Sequence, residues 1–138
     1  MARGIPAGLE TSINRDVINY IEGLSAHSDI ADALATALKP LGDVQLFCPD
    51  WRQYRYVVAS TKSVIFALAV GMTTIGLRLD ERMKARALAS GAMPYPGCGS
   101  EWISFTLFRD DWPKVDLEFW ARKAYVAVRD VEGGGRSA

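Results

Sequence analysis

The feature that most constrains the fold of this chain is a change of hydrophobic period within residues 102 to 130, WISFTLFRDDWPKVDLEFWARKAYVAVRD. The first part alternates like a strand, which places on one face Ile103, Phe105 and Leu107. The last part repeats every three or four residues, and this stripe is formed by Leu117, Trp120, Ala121, Ala124 and Val128. The sequence therefore predicts a strand, a turn marked by Pro113 and a closing helix that share one core.

Two more helical stripes lie in the first third of the chain. The first begins near Ser12 and is formed by Ile13, Val17, Ile21 and Leu24. The second begins at the capping residue Ser28, runs up to Gly42 and is formed by Ile30, Leu34, Ala37, Leu38 and Leu41. Pro40 cannot continue a helix, so we expect the second helix to end before it. Residues 1 to 9 lack periodicity and are expected to form a loose arm.

Four strand-like segments follow the two helices. They are Val44 to Cys48, Tyr54 to Val58, the continuous apolar run Val64 to Val70, and the alternating segment Ile75 to Leu79. Residues 60 to 63, STKS, are expected to connect the second and third segments. Connections of three to five residues are too short for parallel crossovers, so the segments predict an antiparallel meander with Val64 to Val70 covered on both faces.

The next helix has clear end signals. Asp80 stands where an N-cap belongs, and Gly91 suits the position just after the helix that ends at Ser90. The segment from Gly91 to Ser100, GAMPYPGCGS, is rich in glycine and proline and is expected to be a loop.

The complete pattern predicts a single α+β domain over residues 1 to 138. Its antiparallel sheet has about five strands, with two N-terminal helices, a short helix between strands four and five, a C-terminal helix, and flexible residues at 1 to 9 and 133 to 138.

The composition narrows the function classes. Hydrophobic residues make up 49% of the chain, and 16 lysines and arginines balance 16 aspartates and glutamates. A zero net charge removes the global positive field that favours nonspecific nucleic-acid binding. The most apolar stretch, Val64 to Leu79, is shorter than a membrane span, and no signal peptide is recognisable, so we expect a soluble cytoplasmic protein with no membrane association.

A family resemblance covers about residues 56 to 130. The segments that carry it are VIFALAV, TIGLRLDERMKARALASG, MPYPG and LEFWARKAYVAV. In this order they resemble the TfoX N-terminal domain and the related YjbR-type proteins. The resemblance implies a compact antiparallel sheet flanked by helices, in bacterial proteins tied to regulation, and it brings no catalytic motif. Residues 11 to 41 go beyond the resemblance.

Charged residues offer one candidate binding face. Arg78, Arg82 and Arg86 are spaced around the start of the predicted third helix, and Arg55 and Lys62 could join them. Such a face could hold a small anionic ligand or a nucleic-acid backbone through charge-assisted hydrogen bonds. The alternative is a solvated side of a helix, which the zero net charge favours over nucleic-acid binding.

Aromatic residues offer a second candidate site. Tyr54, Tyr56, Tyr95, Trp102 and Trp112 could leave one face of the sheet partly open. Tyrosine and tryptophan are frequent anchors of interfaces because they combine an apolar body with a polar group. The alternative is that these residues belong to the core.

Catalytic chemistry has weak support in the sequence. Cys98 lies in the segment PGCGS, where its thiol would be accessible, but nothing near it in sequence lowers a thiol pKa. His27, the only histidine, has no nucleophile or orienting group nearby. HExxH, CxxC, GxxxxGK[ST] and GxGxxG are absent, so no catalytic residue, metal or cofactor is expected.

Two functions remain open. The first is a non-enzymatic interaction or regulatory domain that works through its sheet face and the loop from Gly91 to Ser100, with homodimerisation through exposed aromatic residues as one form. The second is a small-ligand binding protein or minor enzyme that uses the same loop and the side formed by Arg78, Arg82 and Arg86. A deep pocket that contains Cys98, Tyr95 or Arg78 would favour the second function.

Overall fold

The computed structural model of the protein describes residues 7–21, 26, 28–48, 56–71, 73–106 and 116–137, and its side chains at 8–21, 26, 30–48, 56–71, 73–106 and 116–129. The helices in these ranges are α1 (Arg15–Ile21), α2 (Ser28–Leu38), α3 (Glu81–Ala89) and α4 (Leu117–Ser137). Short 3-10 turns lie at Ala7–Leu9, Ser12–Asn14 and Pro96–Cys98. None of the described helices is long and apolar enough to cross a membrane.

Six strands form a single sheet within the described residues. They are β1 (Gln45–Phe47), β2 (Val57–Thr61), β3 (Val64–Val70), β4 (Thr74–Arg78), β5 (Met93–Pro94) and β6 (Trp102–Thr106). The order across the sheet is β1-β2-β3-β4-β6-β5, and every neighbouring pair is antiparallel. The predicted α+β class is confirmed. The sixth strand is β5, which lies inside the segment predicted to be a loop.

Both faces of the sheet are covered by apolar side chains. One face packs against α2 and α4, and its cluster includes Phe66, Ile103 and Trp120. The other face packs against α1 and the 3-10 turns, and its cluster includes Leu68 and Trp102. The predicted burial of β3 on both faces is thereby confirmed, because Ile65 to Val70 are all buried. As predicted, β6 and α4 share a core, where the rings of Phe105 and Trp120 lie 5.8 Å apart. Leu107 and the predicted turn at Pro113 lie outside the described residues.

The hairpin between β2 and β3 differs from the prediction. Strand β2 includes Ser60 and Thr61, which the sequence placed in the connection, and it begins at Val57. The turn consists of Lys62 and Ser63 alone, with φ of 52° and 65°. Two consecutive positive φ values are typical of a type I′ hairpin turn, which usually contains asparagine and glycine. The turn was misplaced because these two residues lack that signature.

The ends of the second and third helices agree with the sequence, whereas the start of the first helix and the end of the last helix do not. Helix α2 ends at Leu38, before Pro40, and α3 begins after Asp80, whose Oδ1 accepts a 2.8 Å hydrogen bond from Met83 N. In the first helical segment Ile13 is 47% exposed and Ile18 is buried, because a 3-10 turn at Ser12–Asn14 shifts the stripe before α1 starts.

Both chain ends have more regular structure than predicted. Helix α4 continues through the three glycines to Ser137. A formed helix gains one hydrogen bond for each added residue, which offsets the low helix propensity of glycine. In the predicted N-terminal arm, Ala7–Leu9 forms a 3-10 turn and Leu9 is buried. Residues 1 to 6 lie outside the described residues.

Candidate functional site

A β-bulge in β3 determines where the sheet opens. Ala59 pairs with Ala67, but the next residue, Ser60, pairs with Ile65, so Phe66 is the extra residue of the bulge. Phe66 and Ala67 consequently both belong to the cluster on the α2 and α4 face. Bulges bend the strand that contains them and interrupt the local ladder.

From the bulge toward the start of β3 at Val64, β3 and β4 are no longer paired. Their register ends at the Ala67 and Leu77 pair. Leu79 N donates instead to Glu101 O, at 2.9 Å, on the side of β4 that faces β6. We call this opening, with Val64 on one arm and Leu79 on the other, the fork.

Ile65 pairs with β2 on one side but has no partner in β4 on the other side, and two side chains take the place of that partner. Asn14 Oδ1 accepts a hydrogen bond from Ile65 N at 2.9 Å, and Arg78 Nε donates to Ile65 O at 2.9 Å. The amide of Asn14 also donates to Leu9 O and to Ser63 O, at 2.8 and 2.9 Å. Asn14 is completely buried, so these bonds satisfy polar groups that water cannot reach.

The Arg78 guanidinium is the second side chain that holds the fork. Its Nη1 donates to Glu101 Oε1 at 2.9 Å, and its Nη2 donates to Ile13 O at 3.2 Å. Its Cζ lies 5.2 Å from the centre of the Trp102 ring, a cation–π distance. Burial lowers the pKa of Arg78, and the carboxylate of Glu101 opposes that shift. The geometry makes Arg78 a clamp between the two strands and the 3-10 turn.

A cavity of about 410 Å³ lies at the fork. It is lined by the apolar side chains of Ile13, Val64, Leu79, Ala127 and Val128 and by the charged residues Lys62, Arg78, Asp80, Glu81 and Glu101. Residues from the 3-10 turn Ser12–Asn14 and from α4 reach it from the two faces of the sheet. Its volume lies within the range of small-molecule sites in proteins, which are also mainly apolar with a few placed polar groups.

The predicted basic face is corrected by the burial of Arg78. Only 7% of Arg78 is exposed, and its bonds point into the fork. Arg82 and Arg86 are exposed on α3, and Arg86 Nη1 lies 3.9 Å from Met83 Sδ. Arg78 therefore belongs to the cavity and not to a solvent-facing basic surface with Arg82 and Arg86. Arg55, the other arginine considered for that face, lies outside the described residues.

Cys98 does not have the accessible thiol that its glycine neighbours suggested. Only 3% of the residue is exposed, because the 3-10 turn Pro96–Cys98 packs under α1. A Cβ at Gly97 would overlap the ring of Tyr20, which shows how closely α1 approaches this turn. Burial raises the pKa of the Cys98 thiol to about 12, and the carboxylate of Asp16 adds to the shift. A thiol with this pKa is almost entirely protonated at neutral pH and is a poor nucleophile.

The aromatic candidates fill the sheet face instead of leaving it open. Tyr56 is 4% exposed, and Trp102 is completely buried. Tyr95 is half-buried and covers Gly76, where an added Cβ would lie 2.9 Å from Tyr95 Cε2. Burial raises the pKa of Tyr95, as does the neighbouring phenol of Tyr20. The predicted open aromatic groove is therefore wrong for these three residues.

Several residues weighed from the sequence lie outside the described part of the chain. They are His27, Tyr54 and Trp112. Sequence reasoning missed Asn14, because it is followed by the polar residues Arg15 and Asp16 and no local pattern separates it from them. It also missed the lining residues contributed by α4, because no local pattern shows that a helix end reaches a gap in a distant hairpin.

The carboxylates at the cavity are spread over separate elements. Asp80 and Glu81 belong to the start of α3, and Glu101 precedes β6. Among the described residues, no group of three histidine, cysteine, aspartate or glutamate side chains could hold a metal ion.

Compared with known protein families, with curated proteins and with solved structures, the chain matches none of them.

Proposed function

We propose that this chain is a non-enzymatic regulatory domain that binds a small molecule in the cavity at the fork. The observation that carries the proposal is the way in which the sheet opens there. Two buried side chains, Asn14 and Arg78, satisfy the backbone groups of Ile65 that would otherwise need a strand partner. The opening is thus compatible with a stable fold, because the backbone groups of Ile65 are already bonded without a ligand.

The lining supports binding in preference to bond-breaking chemistry. Its apolar side chains come from the 3-10 turn, from the two arms of the fork and from α4, and they can enclose a small hydrophobic body. Cys98, the nucleophile considered from the sequence, does not line the cavity, and its pKa of about 12 disfavours the reactive thiolate. Arg78, one of the residues whose presence in a pocket would favour a ligand, does line it.

Filling the cavity tests the proposal. Ala127 lines it and is 7% exposed, so Ala127→Phe should occupy the space that a ligand needs. We expect members of a library of small amphipathic metabolites to shift amide signals of Val64, Leu79 and Val128 in the wild-type protein, as measured by nuclear magnetic resonance. The variant should lose these shifts.

The neighbouring residue provides the control. Val126 lies on the same helix but is 40% exposed and does not line the cavity, so Val126→Phe should bind as the wild type does. Ala127→Leu is a smaller change for use if the phenylalanine variant does not fold. A library that shifts no signal at the fork in the wild-type protein would refute the proposal, as would equal binding by a folded cavity-filled variant.

A second candidate function is homodimerisation through the edge of the sheet. In the described sheet β1 pairs only with β2, and Leu46 is 38% exposed on it. Beside β1 lies a shallow hollow of about 380 Å³, lined by Ala35, Thr36, Leu38, Lys39, Leu41, Val44 and Leu46. An edge strand next to an apolar hollow could pair with the same strand of a second copy.

Light scattering over a wide concentration range tests dimerisation. We expect a dimer for the wild-type protein and a monomer for Leu46→Glu. Met93→Glu is the matched control, because Met93 is 61% exposed on the opposite edge strand, β5. A wild-type protein that stays monomeric would exclude this function and would leave the cavity proposal unaffected.

A further inference from the structure

Outside the ion pair of Arg78 and Glu101, the charges around the cavity are separated by sign between the arms of the fork. Lys62 lies in the turn that leads into the β3 arm, and it is exposed. Asp80 and Glu81 follow the β4 arm, and they are also exposed. The remaining charged lining residues, Arg78 and Glu101, form an ion pair with each other. One side of the cavity is therefore positive and the other negative.

Arg78 ends β4 and reaches Ile65 of β3, so its guanidinium offers hydrogen-bond donors between the two sides. A guanidinium has five N–H groups, and Arg78 uses one on each nitrogen for Ile65, Glu101 and Ile13. Two N–H groups of this residue, which is 7% exposed, are left without a partner among the described residues. Buried donors favour an acceptor oxygen, and a carboxylate is the strongest acceptor among common ligand groups.

The anionic side has spare acceptors. Asp80 uses Oδ1 to cap α3, and Glu101 uses Oε1 for Arg78, so each retains a second oxygen. The exposed carboxylate of Glu81 forms no hydrogen bond or ion pair within the described part of the chain. A primary ammonium group donates three hydrogen bonds and matches such a set of oxygens.

We infer that the ligand of this cavity is a small zwitterion with an apolar side group, the class to which apolar amino acids belong. Its carboxylate would face Lys62 and Arg78, its ammonium would face Asp80 and Glu81, and its side group would lie on the apolar lining. A ligand with one charge is less suitable, because it meets like charge on one arm. This inference rests on the proposed binding function of the same cavity.

Four probes of similar size separate the charge inference from the binding function. They are L-phenylalanine, phenethylamine, 3-phenylpropanoate and 2-phenylethanol, which are respectively zwitterionic, cationic, anionic and neutral. Calorimetric titration of the full chain should show the tightest binding for L-phenylalanine. Each singly charged probe should bind about fivefold or more weakly, which corresponds to about 1 kcal/mol for one lost charge contact.

Two charge-removing variants assign the two ends of the ligand. Lys62→Gln should weaken L-phenylalanine and 3-phenylpropanoate about fivefold and leave phenethylamine no weaker. Glu81→Gln should show the opposite selectivity between the two singly charged probes. Arg82→Gln and Glu118→Gln are the matched controls, because both residues are exposed and neither lines the cavity.

The possible outcomes are distinct. If 2-phenylethanol binds as tightly as L-phenylalanine and shifts the signals at the fork, the zwitterion inference is wrong and the binding function stands. If one singly charged probe binds tightest, the inference is also overturned. If L-phenylalanine alone binds at the fork and both variants weaken it, the inference is supported. If none of the four probes binds but other library members shift the fork signals, only the inference fails.

Discussion

At the residue scale, Asn14 connects more parts of the structure than any motif in the sequence suggested. Its side chain bonds Leu9, Ser63 and Ile65, which belong to the N-terminal turn, the hairpin turn and β3. An asparagine amide has both a carbonyl acceptor and two donors, so it can satisfy all three backbone groups at once. Aspartate lacks the donors and would leave the carbonyl groups of Leu9 and Ser63 without this partner.

Replacement of Asn14 should therefore be costly. Asn14→Ala leaves three backbone groups without partners, two of them in a buried place, and we expect a loss of about 3 kcal/mol in the free energy of unfolding, measured by urea denaturation. Thr11→Ala is the control, because Thr11 is exposed and its side chain does not cap the following turn. A loss for Asn14→Ala no larger than that for Thr11→Ala would contradict the role assigned to Asn14.

The raised pKa of the buried Cys98 thiol predicts how the stability of the protein changes at alkaline pH. Its pKa is raised from 9.0 to about 12, so between these values the folded protein keeps a proton that the unfolded chain has lost. Stability is thus fully present below about pH 9 and decreases as pH rises toward 12, by about 1.4 kcal/mol per pH unit. Burial of Tyr95 acts in the same direction at higher pH.

Urea denaturation at pH 8 and pH 10 measures this effect. The wild-type protein should lose about 1.4 kcal/mol more between these two pH values than Cys98→Ala does. The comparison within each protein removes the constant packing cost of the substitution. Equal losses for the two proteins would show that the thiol does not hold its proton in the folded state.

At the element scale, the hairpin between β2 and β3 is stabilised from outside its turn. Lys62 and Ser63 both have positive φ, which is unfavourable for residues with a side chain. The bond from Asn14 to Ser63 O, at 2.9 Å, helps to fix this turn. The turn thus tolerates residues that a hairpin normally avoids.

A glycine in this turn should increase stability. Ser63→Gly removes the unfavourable left-handed conformation of a residue with a Cβ, and we expect a gain of about 0.5 to 1 kcal/mol in the free energy of unfolding. Ser90→Gly provides the opposite control, since Ser90 has φ of −93° and gains nothing from glycine. If both substitutions changed stability equally, strain at Ser63 would not be the cause.

Local signals in the sequence were sufficient for some elements and insufficient for others. Helix α3 was predicted at both ends, because Asp80 and Gly91 each carry the chemistry of a helix end. Strand β3 was predicted because seven apolar residues in a row suit a strand buried on both faces. The bulge at Phe66 was missed because it depends on the pairing of β2 with β3.

The candidate site was only partly predictable. Arg78 was identified from its charge and spacing, but its buried position depends on bonds to Ile65, Glu101 and Ile13, which are distant in sequence. Cys98 was expected to be accessible because glycines surround it. The packing of α1 on that turn, which no local pattern reveals, buries it.

At the scale of the whole molecule, two apolar layers share one sheet. Side chains of β3 contribute to both clusters, with Phe66 in one and Leu68 in the other. Loss of either layer would expose one face of this central strand to water. We therefore expect the described domain to unfold as one cooperative unit.

A substitution in the smaller layer tests this cooperativity. Ile18 is 1% exposed in α1, and Ile18→Ala should reduce the free energy of unfolding by about 3 kcal/mol. Far-ultraviolet circular dichroism and tryptophan fluorescence should then give the same urea midpoint. Ile13→Ala should cost less than 1 kcal/mol, because Ile13 is 47% exposed. Two separate midpoints for Ile18→Ala would show that the layers unfold independently.

The fork also affects how this fold can change during evolution. Strand pairing depends on backbone groups, so a gap in a ladder usually changes only when residues are inserted or deleted. Here the gap is closed by two side chains, Asn14 and Arg78, and single-nucleotide mutations can alter either one. The width and polarity of the opening can therefore diverge by point mutation while the register of all six strands is kept.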